Sequence, residues 1–505
     1  MARMMSGAEI VLESLFDQGV EHIFGYPGGA VLPIYDELFK QNRLQHILVR
    51  HEQGAGHAAE GYARSTGKVG VLLVTSGPGA TNAVTALADA LLDSIPLVCI
   101  TGQVATHLIG NDAFQECDTV GITRPCTKHN YLVRDVNDLA RVLHEAFYVA
   151  KSGRPGPVVV DIPKDVQFAK GLYTGPSKVV HKTYRPQLKG NAQAIRDAVE
   201  LIAGAKRPVF YTGGGIINSG PAASSLLREF VRMTNIPIIG DCAHVLEEMI
   251  RLWKASAKQT DKAAMKKWWA SIEQWRGRNS LSYKPRRDVI MPQYAIQRLF
   301  ELTSGRDTYI TTEVGQHQMW AAQFYRFNDP NRWMTSGGLG TMGYGLPAAV
   351  GVQVAHPRSL VIDIAGEASV LMTMQEMSTA VQHGLPIKIF ILNNEYMGMV
   401  RQWQELLHGG RYSHSYSHSL PDFVKLAEAY RCVGIRAEKP EELDDAIREM
   451  IDTPKPVIFD CRVHKLANCF PMIPSGEPHN KMLLADDFAD DDIDYTVSEE
   501  GKMMV

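Results

Sequence analysis

The sequence predicts an α/β protein in which two doubly wound parallel-sheet domains flank a smaller α/β segment. Three observations carry this. Short runs that are apolar throughout alternate with helix-length stretches, the pattern of strands buried on both faces of a parallel sheet. The alternation occurs twice, over 1–170 and again beyond 286, and it thins out between them. The chain has 505 residues, too many for one core at roughly 100–200 residues per domain. Hydrophobic residues make up 45% and charged residues 21% of the chain, with a formal net charge of −3. That balance fits a globular protein and gives no whole-molecule field for nucleic acid or an anionic membrane.

In order, Ser6 is an N-cap candidate for a helix over 6–18. Strands follow at 22–26, 46–50, 69–76, 96–102 and 157–163, with helices expected at 31–39, 54–65, 80–92 and 136–150. The stretch from 170 to about 190 is polar and punctuated by Pro and Gly, and reads as a linker. A second unit has helices at 192–202, 222–233 and 243–252 but only two clear strands, 208–211 and 236–240. Two strands do not make a self-sufficient α/β layer. From Arg251 to Arg287 the chain carries eleven Lys/Arg against Asp261 and Glu273, interleaved with Trp253, Trp268, Trp269 and Trp275. Such interleaving can bind single strands of nucleic acid. With nothing else in the chain pointing that way, it reads as a helical connector whose tryptophans dock on a neighbouring domain, and no nucleic-acid partner is expected. Strands at 308–312, 360–364, 387–392 and 457–461 define the last doubly wound domain. The domains are therefore 1–170, 190–285 and 286–480, followed by an acidic tail, 481–505, expected to be partly disordered.

Seven scattered cysteines without a Cys-x-x-Cys pair argue against a disulfide framework or a zinc site and fit a reducing cytosol. With no signal-peptide core and no apolar run near 18 residues, the expectation is a cytoplasmic protein without a membrane partner.

The candidate chemistry lies just past strand ends, where ligands of open α/β sheets sit. Glu52 follows the 46–50 strand. Taken alone it reads first as a carboxylate that favours a helix N-terminus, and second as an acid/base group. The turn Thr75-Ser76-Gly77-Pro78-Gly79 opens a helix and can present backbone N–H groups to an anion. Glu367 and Asn394 follow successive strands, so a carboxylate and an amide oxygen would meet at neighbouring strand ends. Such hard oxygen ligands beside Gly-rich backbone suit Mg²⁺ bound with a diphosphate. The turn 337–345 lets a cofactor approach the backbone closely.

The motifs in order are F-G-Y-P-G-G-A (24–30), H-E-Q-G-A-G-H-A-A-E-G-Y-A-R (51–64), T-S-G-P-G-A-T-N (75–82), D-A-F-Q-E (112–116), G-Q-H-Q-M-W (315–320), S-G-G-L-G-T-M-G (336–343) and N-N-E-Y-M-G-M-V (393–400). With these motifs the chain resembles the catalytic large subunit of acetohydroxyacid synthase, also called acetolactate synthase, a thiamine-diphosphate enzyme family. The resemblance covers 1–480 except the middle. It implies decarboxylation of pyruvate and addition to a second 2-oxoacid, pyruvate or 2-ketobutyrate, giving 2-acetolactate or 2-aceto-2-hydroxybutyrate for branched-chain amino acid synthesis.

By position, the resemblance makes Glu52 the partner of the aminopyrimidine N1′ and puts Met342 beneath the cofactor. Gly29, Phe114, Gln115 and Lys128 would line the pocket or its entrance. Tyr26, Pro27, Gly28, Thr75, Gly79 and Asn82 would contact the cofactor from the first domain. Val314, Gln316, His317, Gly338, Gly366, Ala368, Ser369 and the run Met397, Gly398, Met399 would do so from the last. Glu367, Asn394 and Tyr396 would hold Mg²⁺, and Val400 and Trp403 would meet substrate, Trp403 favouring 2-ketobutyrate. The two halves of the site come from different chains in this family, which implies a homodimer or tetramer, with a small regulatory subunit as a further partner.

Two features depart from the family pattern. Glu367 stands where the diphosphate motif has Asp, which predicts weakened Mg²⁺ binding. After Asn235-Ile236-Pro237 the chain passes directly to what resembles the far end of the central domain, so that domain is truncated. Arg154, Gly213, Gly214 and Gly215 remain of the FAD contacts, and FAD binding is predicted to be lost or badly weakened. The alternatives are another thiamine-diphosphate 2-oxoacid carboligase or decarboxylase, against which Trp403 argues, and a catalytically silent chain of this family.

Overall fold

The computed structural model describes residues 2–485, except 177–178, 180, 182, 188, 237, 240–243, 257–258 and 475. Most of the acidic tail therefore lies outside the described residues. The chain divides into two compact units, one formed by 1–184, 283–327 and 332–505, the other by 185–282 and 328–331.

The first unit contains two six-stranded sheets, all parallel. In spatial order, one consists of Gln45–Leu48, His22–Gly25, Gly70–Val74, Leu97–Gln103, Pro157–Pro163 and His129–Leu132. The other runs Trp333–Thr335, Thr308–Thr312, Leu360–Ala365, Lys388–Asn393, Val457–Arg462 and Val433–Ala437. Both follow one scheme. The first strand lies between the second and third, and the sixth precedes the fifth at the far edge. The direction of winding reverses between the first and third strands, which opens a crevice at their carboxyl ends.

A single apolar core runs through both sheets, from Phe24, Ile47 and Leu72 to Val361, Ile389 and Ile391. Helices Glu52–Thr66 and Gly345–Ala355 join them backbone to backbone. A Cβ on Gly61 would come 2.2 Å from the Ala348 carbonyl oxygen, and one on Gly351 1.8 Å from that of Ala58. Only glycine admits that approach.

Several expectations need correction. The N-terminal segment opens with a strand, Arg3–Ser6, paired antiparallel with Lys170–Tyr173, so the expected linker begins as sheet. Ser6 does cap the helix Gly7–Asp17, in a reciprocal arrangement with Glu9. The helix expected over 80–92 is two helices, Pro78–Asn82 and Val84–Leu92, which meet at Ala83.

The second unit has helices Ala192–Gly204, Pro221–Thr234, His244–Ser256 and Lys262–Arg276, and a two-stranded parallel sheet of Phe210–Tyr211 and Ile238–Ile239. The basic, Trp-rich run is helical as expected, but its tryptophans dock within the unit itself. Trp253 is buried edge-on against Phe230. The indole N–H groups of Trp268 and Trp269 donate to the carbonyls of Pro208 (3.1 Å) and Asn235 (3.0 Å). No helix among the described residues is long and apolar enough to cross a membrane.

Candidate active site

At the first sheet's crevice, strand Gln45–Leu48 delivers Glu52 to the first turn of helix Glu52–Thr66, which is capped by His51. The Glu52 side chain is buried, and its Oε2 accepts from Asn82 Nδ2 at 2.9 Å. Its other oxygen faces the Gly79 turn, where a Cβ would stand 3.4 Å away. Thr75 closes the same cluster: its Oγ1 accepts from Ala30 N–H, and a Cβ on Gly28 would come 2.5 Å from the Thr75 side chain. Small residues at 28 and 79 are what let three loops converge around one carboxylate. Gly77 takes a left-handed φ of +55° and lies against the backbone of Gln115, itself at +58°. Tyr26, Pro27 and Gly29 share the loop of Gly28 and are exposed, as is Phe114. Lys128 and Arg154 stand apart. The Lys128 ammonium donates to the carbonyls of Val149 and Ser152 and to the Tyr184 hydroxyl. The Arg154 guanidinium donates to Ser94 Oγ and to the carbonyls of Leu91 and Leu92.

The second sheet's crevice holds a cavity that brings together most of the remaining candidates. Val314, Gln316, His317, Met342, Gly366, Glu367, Ala368, Ser369, Asn394, Tyr396, Met397, Gly398, Met399 and Val400 line it. Glu367 is 1% exposed, and neither carboxyl oxygen has a hydrogen-bond partner. Burial pushes its carboxyl up to about 8. The buried His317 likewise has an unpartnered Nε2, and burial pushes its imidazole down to about 3. A neutral imidazole and an orphaned carboxyl in a closed space are the complement of a cation with an anionic group. Gln316 fixes the floor. Its amide donates to Gln402 Oε1 (2.7 Å) and the Ala467 carbonyl (3.0 Å), while its oxygen accepts from Asn394 Nδ2 (3.4 Å). Asn394 Oδ1 accepts from the Tyr396 N–H, and Glu395 between them turns left-handed at φ +64°. A Cβ on Gly398 would meet Gln316 Oε1 at 2.1 Å. Trp403 is half-buried on helix Gly398–Leu407. Glu52 is not among the lining residues, and the Gly338 N–H is taken by Asp93 at 2.7 Å. Gly213, Gly214 and Gly215 form a turn into the short helix Gly215–Asn218 of the other unit.

Two residues that matter here escaped the sequence reading. Glu313, one residue past strand Thr308–Thr312, accepts from Gly343 N–H (2.6 Å), Leu346 N–H (3.1 Å) and Ser369 Oγ (2.8 Å), tying the Met342 turn to the Glu367 turn. Glu376 accepts from the Arg50 N–H at 3.0 Å, close behind Glu52, and burial pushes its carboxyl up to about 7. Glu313 carries the same signal as Glu52, an acid just past an apolar strand; Glu376 carries none.

Two family models match. Residues 5–122 match the thiamine pyrophosphate enzyme N-terminal TPP binding domain, and 313–461 the corresponding C-terminal TPP binding domain. The chain is 43% identical to the acetolactate synthase isozyme 3 large subunit of Escherichia coli K12 over 568 residues, covering 95% of this chain and 99% of that protein. It is 41% identical to the acetolactate synthase large subunit of Haemophilus influenzae over 569 residues (96% and 99%), and 41% to the acetolactate synthase of Mycobacterium bovis over 574 (96% and 92%). Those alignments are longer than the 505 residues of this chain, so the relatives carry positions it lacks. With matches of this extent, the chain belongs to the acetolactate synthase large-subunit family of thiamine-diphosphate enzymes.

Proposed function

We propose that the chain decarboxylates pyruvate and joins the remaining two-carbon unit to a second 2-oxoacid, pyruvate or 2-ketobutyrate. The products are 2-acetolactate or 2-aceto-2-hydroxybutyrate in branched-chain amino acid biosynthesis. The observation that carries this reading is the pair of crevices, one closed around Glu52 and the other around the unpartnered Glu367 carboxyl.

Thiamine diphosphate, when bound, supplies a ring carbon that adds to a 2-oxoacid and accepts the electron pair left by departing carbon dioxide. The chain's own residues bind, orient and move protons. Glu52 would hold a proton against the aminopyrimidine N1′, its carboxylate aimed by Asn82. Glu367, Asn394 and Tyr396 would hold Mg²⁺; the hard oxygens and the orphaned carboxyl fit that ion. Gln316, His317, Ser369 and the 397–399 turn would hold the diphosphate, and Val400 with Trp403 would select the second substrate.

The minimum unit would be a homodimer, with a small subunit as partner, since the relatives are named large subunits. The expected setting is the cytoplasm. FAD binding is expected to be lost or badly weakened: Nε and Nη2 of Arg154 are already engaged, and the relatives align over more residues than this chain has. That shortfall, with a central unit built on a two-stranded sheet, also favours a second reading, a catalytically silent chain. A colorimetric acetoin assay on purified chain with pyruvate, Mg²⁺ and thiamine diphosphate distinguishes the two. Turnover supports the first reading, and thiamine-diphosphate binding without turnover supports the second. Adding 2-ketobutyrate should shift product towards 2-aceto-2-hydroxybutyrate, and indifference to it would favour another carboligase.

A further inference from the structure

Helix Val84–Leu92, which belongs to the first sheet, presents two acids to the Gly-rich turn that follows strand Trp333–Thr335 of the second. Asp93, just past the helix, accepts from the N–H groups of Gly337 (3.0 Å) and Gly338 (2.7 Å) and from Arg64 Nη1 (3.1 Å). Asp89 Oδ1 accepts from Ser336 Oγ (2.5 Å) and Thr341 Oγ1 (3.4 Å), and Ser336 Oγ accepts from Thr341 N–H (2.8 Å). The turn 336–341 is thus gripped along its length from the other sheet.

The other oxygen of Asp89, Oδ2, has no partner, and neither does Glu60 Oε2. Both residues are 0% exposed, and the ligand-type atoms of His57, Glu60 and Asp89 lie within 4.8 Å of one another. Two dry carboxylates this close do not both ionise at neutral pH. One proton between them satisfies both orphaned oxygens. The surroundings put that proton on Glu60. Burial and Asp89 push the Glu60 carboxyl up, with Arg64 opposing. His57 sits 3.0 Å from Glu60 Oε1 through its Nδ1, and burial pushes its imidazole down to about 4, so it donates as a neutral ring. The remaining polar neighbours are Gln53, 3.4 Å from His57 Nε2, Asp93, from beyond helix Val84–Leu92, and Tyr344, edge-on to His57 and 3.4 Å from Arg64.

We propose that Glu60 and Asp89 share one proton, and that this proton acts as a positioning element, keeping Asp89 where it grips Ser336 and Thr341 and so holding the cofactor-facing turn. The consequence for the cofactor rests on the function proposed above for the 336–343 turn; the shared proton does not. When the proton is lost in alkaline solution, the two charges repel and the turn slackens. Thiamine-diphosphate affinity then falls by about tenfold per pH unit, as one linked proton requires.

The test compares wild type, Glu60→Gln and Asp89→Asn across neutral to alkaline pH. Amide hydrogen exchange at Gly337, Gly338 and Thr341 is read in the cofactor-free chain, and thiamine-diphosphate affinity is read in Mg²⁺. The Glu60→Gln amide donates to Asp89 at every pH, so its exchange protection and affinity should stay flat where wild type loses both. Asp89→Asn should expose the turn and weaken binding at neutral pH as well. Should Glu60→Gln fail to fold, infrared difference spectra between wild type and Asp89→Asn at neutral pH decide: a protonated carboxyl band of wild type that the substitution shifts supports the pair, and a band left unshifted overturns it. An alkaline loss of protection unchanged in Glu60→Gln, or a stoichiometric metal ion released by that variant, also overturns it. If protection follows the proton while affinity does not, the pair stands and the cofactor role of the turn falls.

Discussion

The two parallel sheets share one strand order and differ in what stands at their crevices. At the first, one carboxylate, Glu52, is hydrogen-bonded by Asn82 and enclosed by small residues at 28 and 79. At the second, Glu367 is sealed in with no partner, beside a neutral His317 with a spare nitrogen. The same topology thus supplies two edges, and under the proposed function residue chemistry divides the work between them. One edge suits proton handling, the other a cation and phosphates. Function lies in the residues grafted at the strand ends, and the fold supplies only their spacing.

The sharpest way to break that comparison is to exchange the two carboxylates for amides. Glu52→Gln should lower turnover about 10²–10⁴-fold, the usual range for a general acid–base group, and leave thiamine-diphosphate and Mg²⁺ affinity nearly unchanged. Glu367→Gln should instead lose affinity for both. Steady-state assays with calorimetric titration read this, and the reverse assignment would falsify the division of labour. Next in size is the junction the two edges share. Gly351→Ala drives a Cβ into the Ala58 carbonyl, an overpacking expected to cost about 1–3 kcal/mol. The thermal midpoint should fall and both edges suffer together. By contrast Gly204→Ala in the other unit, with nothing within 4 Å of the added Cβ, should leave the midpoint unchanged or slightly higher.

Smaller again is Glu367→Asp. The shorter side chain should draw back to suit the short, near-octahedral contacts of Mg²⁺ and tighten binding about three- to tenfold. Unchanged affinity would dispose of the view that Glu367 handicaps this chain. A last contrast, read as a slope against pH, is between corresponding fifth-position strands. Asp460 is paired with Arg436 and Arg462, whereas Asp161 meets the neutral donors of Thr101, Gln103 and Thr119. Burial pushes the Asp161 carboxyl from 3.8 to about 7. Between those values the folded chain holds a proton the unfolded chain has released, so stability falls as pH rises through that window and is flat above it. Asp161→Asn should remove that slope from a plot of thermal midpoint against pH.

What was legible in the sequence follows from burial. The central strands, such as Gly70–Val74 and Lys388–Asn393, are buried throughout and read as apolar runs, broken in the second only by its terminal Lys388 and Asn393. The edge strands His129–Leu132 and Val433–Ala437 are half-exposed and carry polar residues, so their pattern resembles loop. Glu52, Glu367 and Asn394 were legible because each lies within four residues of a strand's carboxyl end. Asp89 and Asp93 were not. Their partners in the 336–341 turn lie 244 to 252 residues away, and nothing local marks a side chain whose purpose is to hold a distant turn. The tryptophans of the basic run had a local pattern but no local partner, and their docking within one unit is a tertiary result.

The short pairing of Arg3–Ser6 with Lys170–Tyr173 has a consequence in time. A strand at the front of the first domain finds its partner only after the whole domain has been synthesised. At roughly 5–20 residues per second, its backbone waits on the order of ten to thirty seconds for that partner to emerge. A ribosome-bound chain stalled before Lys170 should therefore leave this edge open to proteolysis, and one stalled far enough beyond Tyr173 should not.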